Sequence, residues 1–501
     1  MMPTRPTTWL GAGLLLLPGL ALAQGSPCEN RSNNTTEKLT ECVTLEGVRA
    51  HQAALQAIAD ANNGNRVAGS AGEAATADYV AAQLEAAGYA VTRQSFQFQT
   101  FYTNRPTVLE QVSPPPAGPL ENNVFSYSGS GDVTASVTAL AAPPADGTPG
   151  CEAADFAGFP AGNIALIRRG SCTFAIKATN AFNAGASGVV IYNNGPGVIN
   201  GTLGNAFALD IPVTSVTQAV GEQLAATPGL VLRLRVDAFR GLATSQNVIA
   251  ESALGDPANV VMAGASFDSV NAGPGINFNG SGTAVLLETA IQMARVEPVN
   301  KLRFAFWGAS RSGLVGSTFY VNNLAAGDRA KIALYLNFDG VGSPNHVYFV
   351  YDGDDSDGVG APAGPAGSAA IEQGFLAYYV AMGVPTQGTD LSGRSDYGPF
   401  VAVGIPAGGI FTGAEGIKTP AEAAIWGGTA GQQYDPCYQL ACDTFDNVNL
   451  EVLDFNADAT AYATLRYAMS TFDVNGVVGK GNAGKIRKVK MPKTTSTLAV
   501  R

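Results

Sequence analysis

Residues 301–317, KLRFAFWGASRSGLVGS, decide how the chain is read. The run through Phe304, Phe306 and Trp307 is apolar and short, and Gly308 ends it, so it predicts a buried strand that empties into a turn and a helix over 312–324. In an architecture of alternating strands and helices, the mouth of such a turn is where carboxylates that do chemistry are expected. The chain instead offers Ser310, Arg311 and Ser312.

Outward from this stretch the alternation persists. Strand-like QNVIAES and NVVMAGASFDS precede it, with a helix over 281–295 between them and it. IALYLNFDGVG, VYFVYD, a helix over 367–381, IPAGGIFTG and a last helix near 453–471 follow it. This order predicts an α/β fold, a mixed and mostly parallel sheet with helices on both faces, whose function lies at loops leaving the strand C-termini. Toward the N-terminus, residues 43–89 show helical spacing on both sides of a Gly/Asn-rich break, and AVTRQSFQFQTF alternates with period two. VSPPPAGPLE at 112–121 marks a boundary, beyond which residues 122–245 form an inserted small domain of strands and helices.

Composition sets the remaining limits. The chain has 501 residues, 46% hydrophobic and 14% charged, which suits a globular protein of two or three domains. Residues 1–23, with Arg5, an apolar run and Ala21-Leu22-Ala23, resemble a secretory signal and imply a secreted or periplasmic protein. No later stretch has the ~18 apolar residues of a membrane span. The formal net charge of −11 hides a basic tail over 476–501, with seven Lys/Arg and no acid after Val478, expected to be a solvated end. The acidic remainder argues against nucleic acid as a partner. Six cysteines allow fifteen connectivities, and proximity along the chain favours Cys28–Cys42, Cys151–Cys172 and Cys437–Cys442.

Two resemblances follow from longer stretches. GCEAADFAGFPAGNIALIRRGSCTFAIKATNAFNAGASGVVIYNN is similar to the protease-associated (PA) domain, which carries no catalytic residues of its own. AGASFDSVNAGPGINFNGSGTAVLLE, RFAFWGASRSGLVGS, LNFDGVGSPN, GRSDYGPFVAVGIPAGGIFTGAEGIKT and YDPCYQLACDTFDN resemble the secreted bacterial di-zinc aminopeptidases. That resemblance divides the chain into a peptidase-like domain built from 24–121 and 246–475, with the PA domain at 122–245 between. It also implies two zinc ions about 3.5–4 Å apart that activate a bridging water.

Set against the family's pattern, the ligand positions are altered. A histidine is expected where Ser266 stands, a bridging aspartate at Phe278, a general-base glutamate at Ser310, a glutamate ligand at Arg311 and a histidine at Gln439. Asp339 is kept, as is Asp268, which in the family supports its histidine. Serine and glutamine are poor zinc donors, phenylalanine offers none, and arginine repels a dication. His51 and His346, the two histidines of the chain, stand in no ligand motif and are expected to serve packing or solvent contact. Arg311 has two readings: the centre of an ion cluster with Asp268 and Asp339, or an exposed turn residue. Phe278 is expected to plug the hollow. By resemblance Arg394, Tyr438 and Phe411 contact the substrate, and Asp396 is structural. The leading expectation is a pseudoenzyme that needs no cofactor and binds peptide N-termini or a partner protein. The alternative is an active metallo-aminopeptidase using zinc at a non-standard site.

Overall fold

The computed structural model describes residues 28, 30–140, 148–195, 197–199, 201–358 and 360–477. The signal-like segment, and the basic tail beyond residue 477, lie outside the described residues.

Eight strands build the main sheet: β1 (Ala90–Thr103), β2 (Ala238–Glu251), β3 (Asp256–Ser266), β4 (Asn300–Trp307), β5 (Ile332–Phe338), β6 (Phe349–Asp352), β7 (Gln387–Asp390) and β8 (Ala407–Phe411). Their order is β1-β2-β4-β3-β5-β8-β6-β7. The centre, β4-β3-β5-β8, is parallel, and β6 with β7 is parallel, while β1/β2, β2/β4 and β6/β8 are antiparallel. The expected mixed sheet is therefore present, with its parallel part in the middle.

Both faces are covered, which is why the central strands read as continuous apolar runs. Val261, Ala263 and Ala265 of β3 point to one core, shared with the helices Gly280–Met293, Ser368–Met382 and Leu450–Met469. Val260 and Met262 point to the other, with Trp307, Tyr320, Tyr335 and Phe400. In that second core the Tyr335 and Phe400 rings stack at 4.1 Å, and Trp307 Nε1 donates to the Tyr335 hydroxyl at 2.7 Å.

A second sheet of eight strands uses only residues 108–236, so it starts ahead of Asn122. It holds two cores of its own, one around Ile167 and Ile191 and one around Leu166 and Leu234. The connection is a two-stranded ribbon, with β1 and β2 paired in continuous register from Ala90 with Glu251 to Thr103 with Ala238. Cys28–Cys42, Cys151–Cys172 and Cys437–Cys442 are bonded, as local pairing leads one to expect. Among the described residues no helix is long and apolar enough to cross a membrane.

Gly264 lies mid-strand in β3, where a Cβ would come within 2.2 Å of the Tyr335 hydroxyl and 2.7 Å of Trp307 Nε1. Gly264→Ala should lower stability by about 2 kcal/mol or more through overpacking and loss of that hydrogen bond, as read from urea unfolding.

Candidate functional site: a pit around Arg311 and Asp339

Parallel pairing brings the C-terminal ends of β3, β4, β5 and β8 to one edge of the sheet, with Ser266 opposite Trp307 and Phe338 opposite Ile410. Ser266, Asp268, Ser310, Arg311 and Asp339 are thereby gathered, though the sequence separates the first and last by more than seventy residues.

The turn after β4 is held by two buried carboxylates. Glu73 accepts the Ala309 amide at 3.0 Å and the Ser245 hydroxyl at 2.6 Å, steadying Ala309 at a φ of +52°. Asp268, fully buried, accepts the Ser310 amide at 3.0 Å and the Arg311 amide at 2.9 Å. Burial pushes Asp268 up to about 6, against the opposing pull of Arg311 and those two amides.

Arg311 turns inward. Its Nη2 donates to Asp339 Oδ1 at 2.7 Å and to Ser266 Oγ at 3.3 Å, and the two paired side chains are 12% and 11% exposed. Asp339 Oδ2 accepts the Ser395 hydroxyl at 2.8 Å. Burial works against the charged guanidinium, but Asp339, with Tyr438 and Asp268, outweighs it and raises the Arg311 pKa. The exposed-turn reading of Arg311 is excluded. The cluster differs in one respect from the expected one: Asp268 is bonded by the backbone amide of residue 311, while the guanidinium is bonded to Asp339.

Ser310 donates to Asp396 Oδ2 at 2.8 Å, and Ser317 donates to Oδ1 at 2.5 Å. Asp396 is buried, which pushes it up to about 7. Phe278 is 4% exposed, its ring 4.7 Å from that of Tyr438 and 6.1 Å from that of Phe411. Room for it exists because residue 340 is glycine, with φ +62° and an ideal Cβ position only 2.1 Å from the ring. Asp443 fixes this segment by accepting the amides of Asn277 at 2.7 Å and Phe278 at 3.0 Å. Gln439 is exposed and donates to the Tyr438 hydroxyl at 3.1 Å, and Arg394, also exposed, pairs with Glu415.

Phe278, Arg311, Asp339, Arg394, Phe411 and Tyr438 line a pit of about 540 Å³, counted to its open mouth, with Arg311 and Asp339 deep and Arg394 at the rim. Phe278 narrows the pit without filling it. Glu73, Ser395 and Asp443 escaped the sequence reading because none lies in a motif with ligand spacing. The signal for Asp443 was its place directly after the Cys437–Cys442 loop.

Neither histidine joins the pit. His51 is buried, 2.7 Å from the Tyr79 hydroxyl and 3.3 Å from Glu288, which corrects the solvent option for it. His346 packs edge-on to Tyr348, and burial, with Lys418 nearby, pushes it down to about 4.

A model of peptidase family M28 matches residues 247–464 and one of the PA domain matches residues 133–224. An aminopeptidase of Pseudomonas aeruginosa (strain UCBPP-PA14) is 45% identical over 473 residues, 92% of this chain and 88% of that protein. A probable lipoprotein aminopeptidase of Mycobacterium tuberculosis is 42% identical over 444 residues, 87% of each. Among solved structures, an aminopeptidase from Aneurinibacillus sp. strain AM-1 is similar at 29% identity and TM-score 0.56, over 85% of this chain and 95% of that one. A zinc aminopeptidase from Bacillus subtilis shares the fold at 24% identity and TM-score 0.60, with the same coverage.

The expectation that no cofactor belongs here is corrected by these likenesses, since the M28 match, the aminopeptidase relatives and the zinc aminopeptidase structure together indicate zinc. The residues around Asp339 do not fit paired zinc ions. One competent carboxylate is bonded to a guanidinium, and the neighbouring positions supply hydroxyl, phenyl and an exposed amide. Among the described residues, the trio of acids close enough to share an ion is Asp352, Asp354 and Glu372. Asp352 is already bonded to the amides of Asp354, Ser356 and Asp357, and Glu372 to that of Gly353.

Two outcomes are expected. Arg311→Met leaves Asp339 as a buried, unpaired charge and should cost about 3–5 kcal/mol in chemical unfolding, most of which Asp339→Leu in the same chain should restore. Between pH 6.5 and about 4 the unfolded chain protonates His346 and the folded chain does not, so stability from this residue is lost as pH falls through that window. His346→Phe should therefore show a smaller drop in melting temperature from pH 7 to pH 5 than the parent.

Proposed function

The chain belongs to peptidase family M28, and from that membership we propose that it binds peptides in the pit around Arg311 and Asp339 without cleaving them by the family's route. The observation that carries this reading is the Arg311–Asp339 ion pair beside a Ser310 hydroxyl bonded to Asp396. Amide hydrolysis asks for a group that takes a proton from water and an electrophile that stabilises the developing oxyanion. Ser310 is no base, and Asp396 is 1% exposed with its oxygens engaged by two serines. Side chains able to bind and orient a peptide, Tyr438, Phe411 and Arg394, line the pit. Three disulfides support a location outside the reducing cytoplasm.

A second reading, release of N-terminal residues from peptides with zinc as cofactor, is favoured by the 45% identity to an aminopeptidase along nearly the whole chain. An amino-acyl chromogenic substrate separates the two, assayed with added Zn²⁺ and with chelator beside a relative of the family. The binding reading expects turnover lower by a factor of about 10²–10⁴ or more, the share that general acid–base catalysis alone supplies. It also expects short peptides to bind in calorimetry, and Tyr438→Ala to weaken them. Zinc-supported turnover abolished by chelator would establish the second reading instead.

A further inference from the structure

We infer that the pit recognises a carboxylate, delivered by the C-terminus or an acidic side chain of a peptide, through the guanidinium of Arg311. The inference rests on the reading that peptides occupy the pit, and it names the chemical group that enters first.

Counting donors against acceptors carries it. A guanidinium has five N–H groups. Both side-chain hydrogen bonds of Arg311 leave from Nη2, to Asp339 and Ser266, and its Nε–H is buried with no acceptor among the described residues. Nη1 thus keeps its hydrogens for a ligand. Tyr438 adds a second donor group: its hydroxyl oxygen accepts from Gln439, which leaves the hydroxyl hydrogen to give. The acids of the pit stand the other way. Asp339 has one oxygen on Arg311 and the other on Ser395, Glu415 is paired with Arg394, and Asp390 Oδ2 accepts the Ala361 amide at 3.0 Å.

The deep part of the pit therefore has unused hydrogens on Arg311 and Tyr438, while each oxygen of Asp339 already accepts one hydrogen bond. An ammonium group would meet a guanidinium and find Asp339 engaged at both oxygens. A carboxylate presents two oxygens, and hydrogen bonds from a charged donor to it are stronger than those to a neutral carbonyl. Phe278, Phe411 and Tyr438 supply an apolar wall for the residue that bears it. In the family's arrangement, as the resemblance describes it, cations occupy this place. Here a fixed organic cation lies within the same ring of residues and changes what can be held there.

Calorimetry on the full chain with four peptides tests the inference without any variant: Ala-Leu-Phe, its C-terminal amide, its N-acetyl form, and N-acetyl-Ala-Leu-Glu amide. Amidation should weaken binding of the first peptide about tenfold or more, the scale of a hydrogen bond to a charged group, and acetylation less than about twofold. Tight binding of the doubly blocked glutamyl peptide would support the same chemistry with a side chain as its source. Arg311→Lys, which keeps the charge opposite Asp339, should retain binding and lose part of the acid-over-amide preference, whereas Tyr438→Phe tests the second donor in an undisturbed fold. Equal binding of acid and amide, or loss of binding on acetylation, would overturn the inference while peptide binding stands. If none of the four binds, the inference and the binding function fall together.

Discussion

The structure at the sheet edge depends on one buried carboxylate, Asp268, which holds the backbone of the turn and not a side chain. By accepting the amides of residues 310 and 311 it sets the direction in which both side chains leave the chain. Ser310 is sent toward Asp396 and Arg311 toward Asp339. Glu73 does the same for residue 309 from the helix Ala71–Ala86. Unsatisfied amides in a buried turn are costly, so these carboxylates serve the backbone whatever occupies the neighbouring positions.

That separation also bears on how 45% identity to an aminopeptidase coexists with a pit built around the Arg311–Asp339 pair. Identity is counted along the entire chain. Chemistry is decided by a handful of side chains. Gly340 shows the coupling between the two: its lack of a Cβ admits the Phe278 ring, which then rests edge-on against Tyr438. An aromatic ring contributes apolar burial where an acid would need a cation, so packing narrows the hollow and Arg311 pairs with Asp339, while the buried Arg66 also acts on Asp268.

The fold was largely legible beforehand, because Val260–Ala265 and Phe304–Trp307 are apolar on both faces and only a covered parallel sheet accepts such runs. The cluster around Arg311 was legible as a set of charges, since Asp268 and Asp339 without a cation would repel. Its detail was not. Periodicity cannot say that Asp268 would face backbone amides, or that Ser395 would take the second oxygen of Asp339, because these contacts join segments more than forty residues apart. The start of the second sheet was also missed: Val108–Ser113 pairs with Val231–Val236, a long-range match with no local turn to announce it. The proline-rich stretch, read as a boundary, lies inside that sheet's first hairpin.

The ribbon of β1 and β2 brings the two ends of the smaller domain together. Thr103 and Ala238 sit directly across from each other, so the intervening 134 residues begin and end at one point in space. Neighbouring strands run about 5 Å apart, a gap that an ordinary hairpin loop closes. Such a junction makes the smaller domain a cassette: a lineage can acquire, exchange or discard it by editing one hairpin tip, while the sheet that bears the pit continues to fold around its own core.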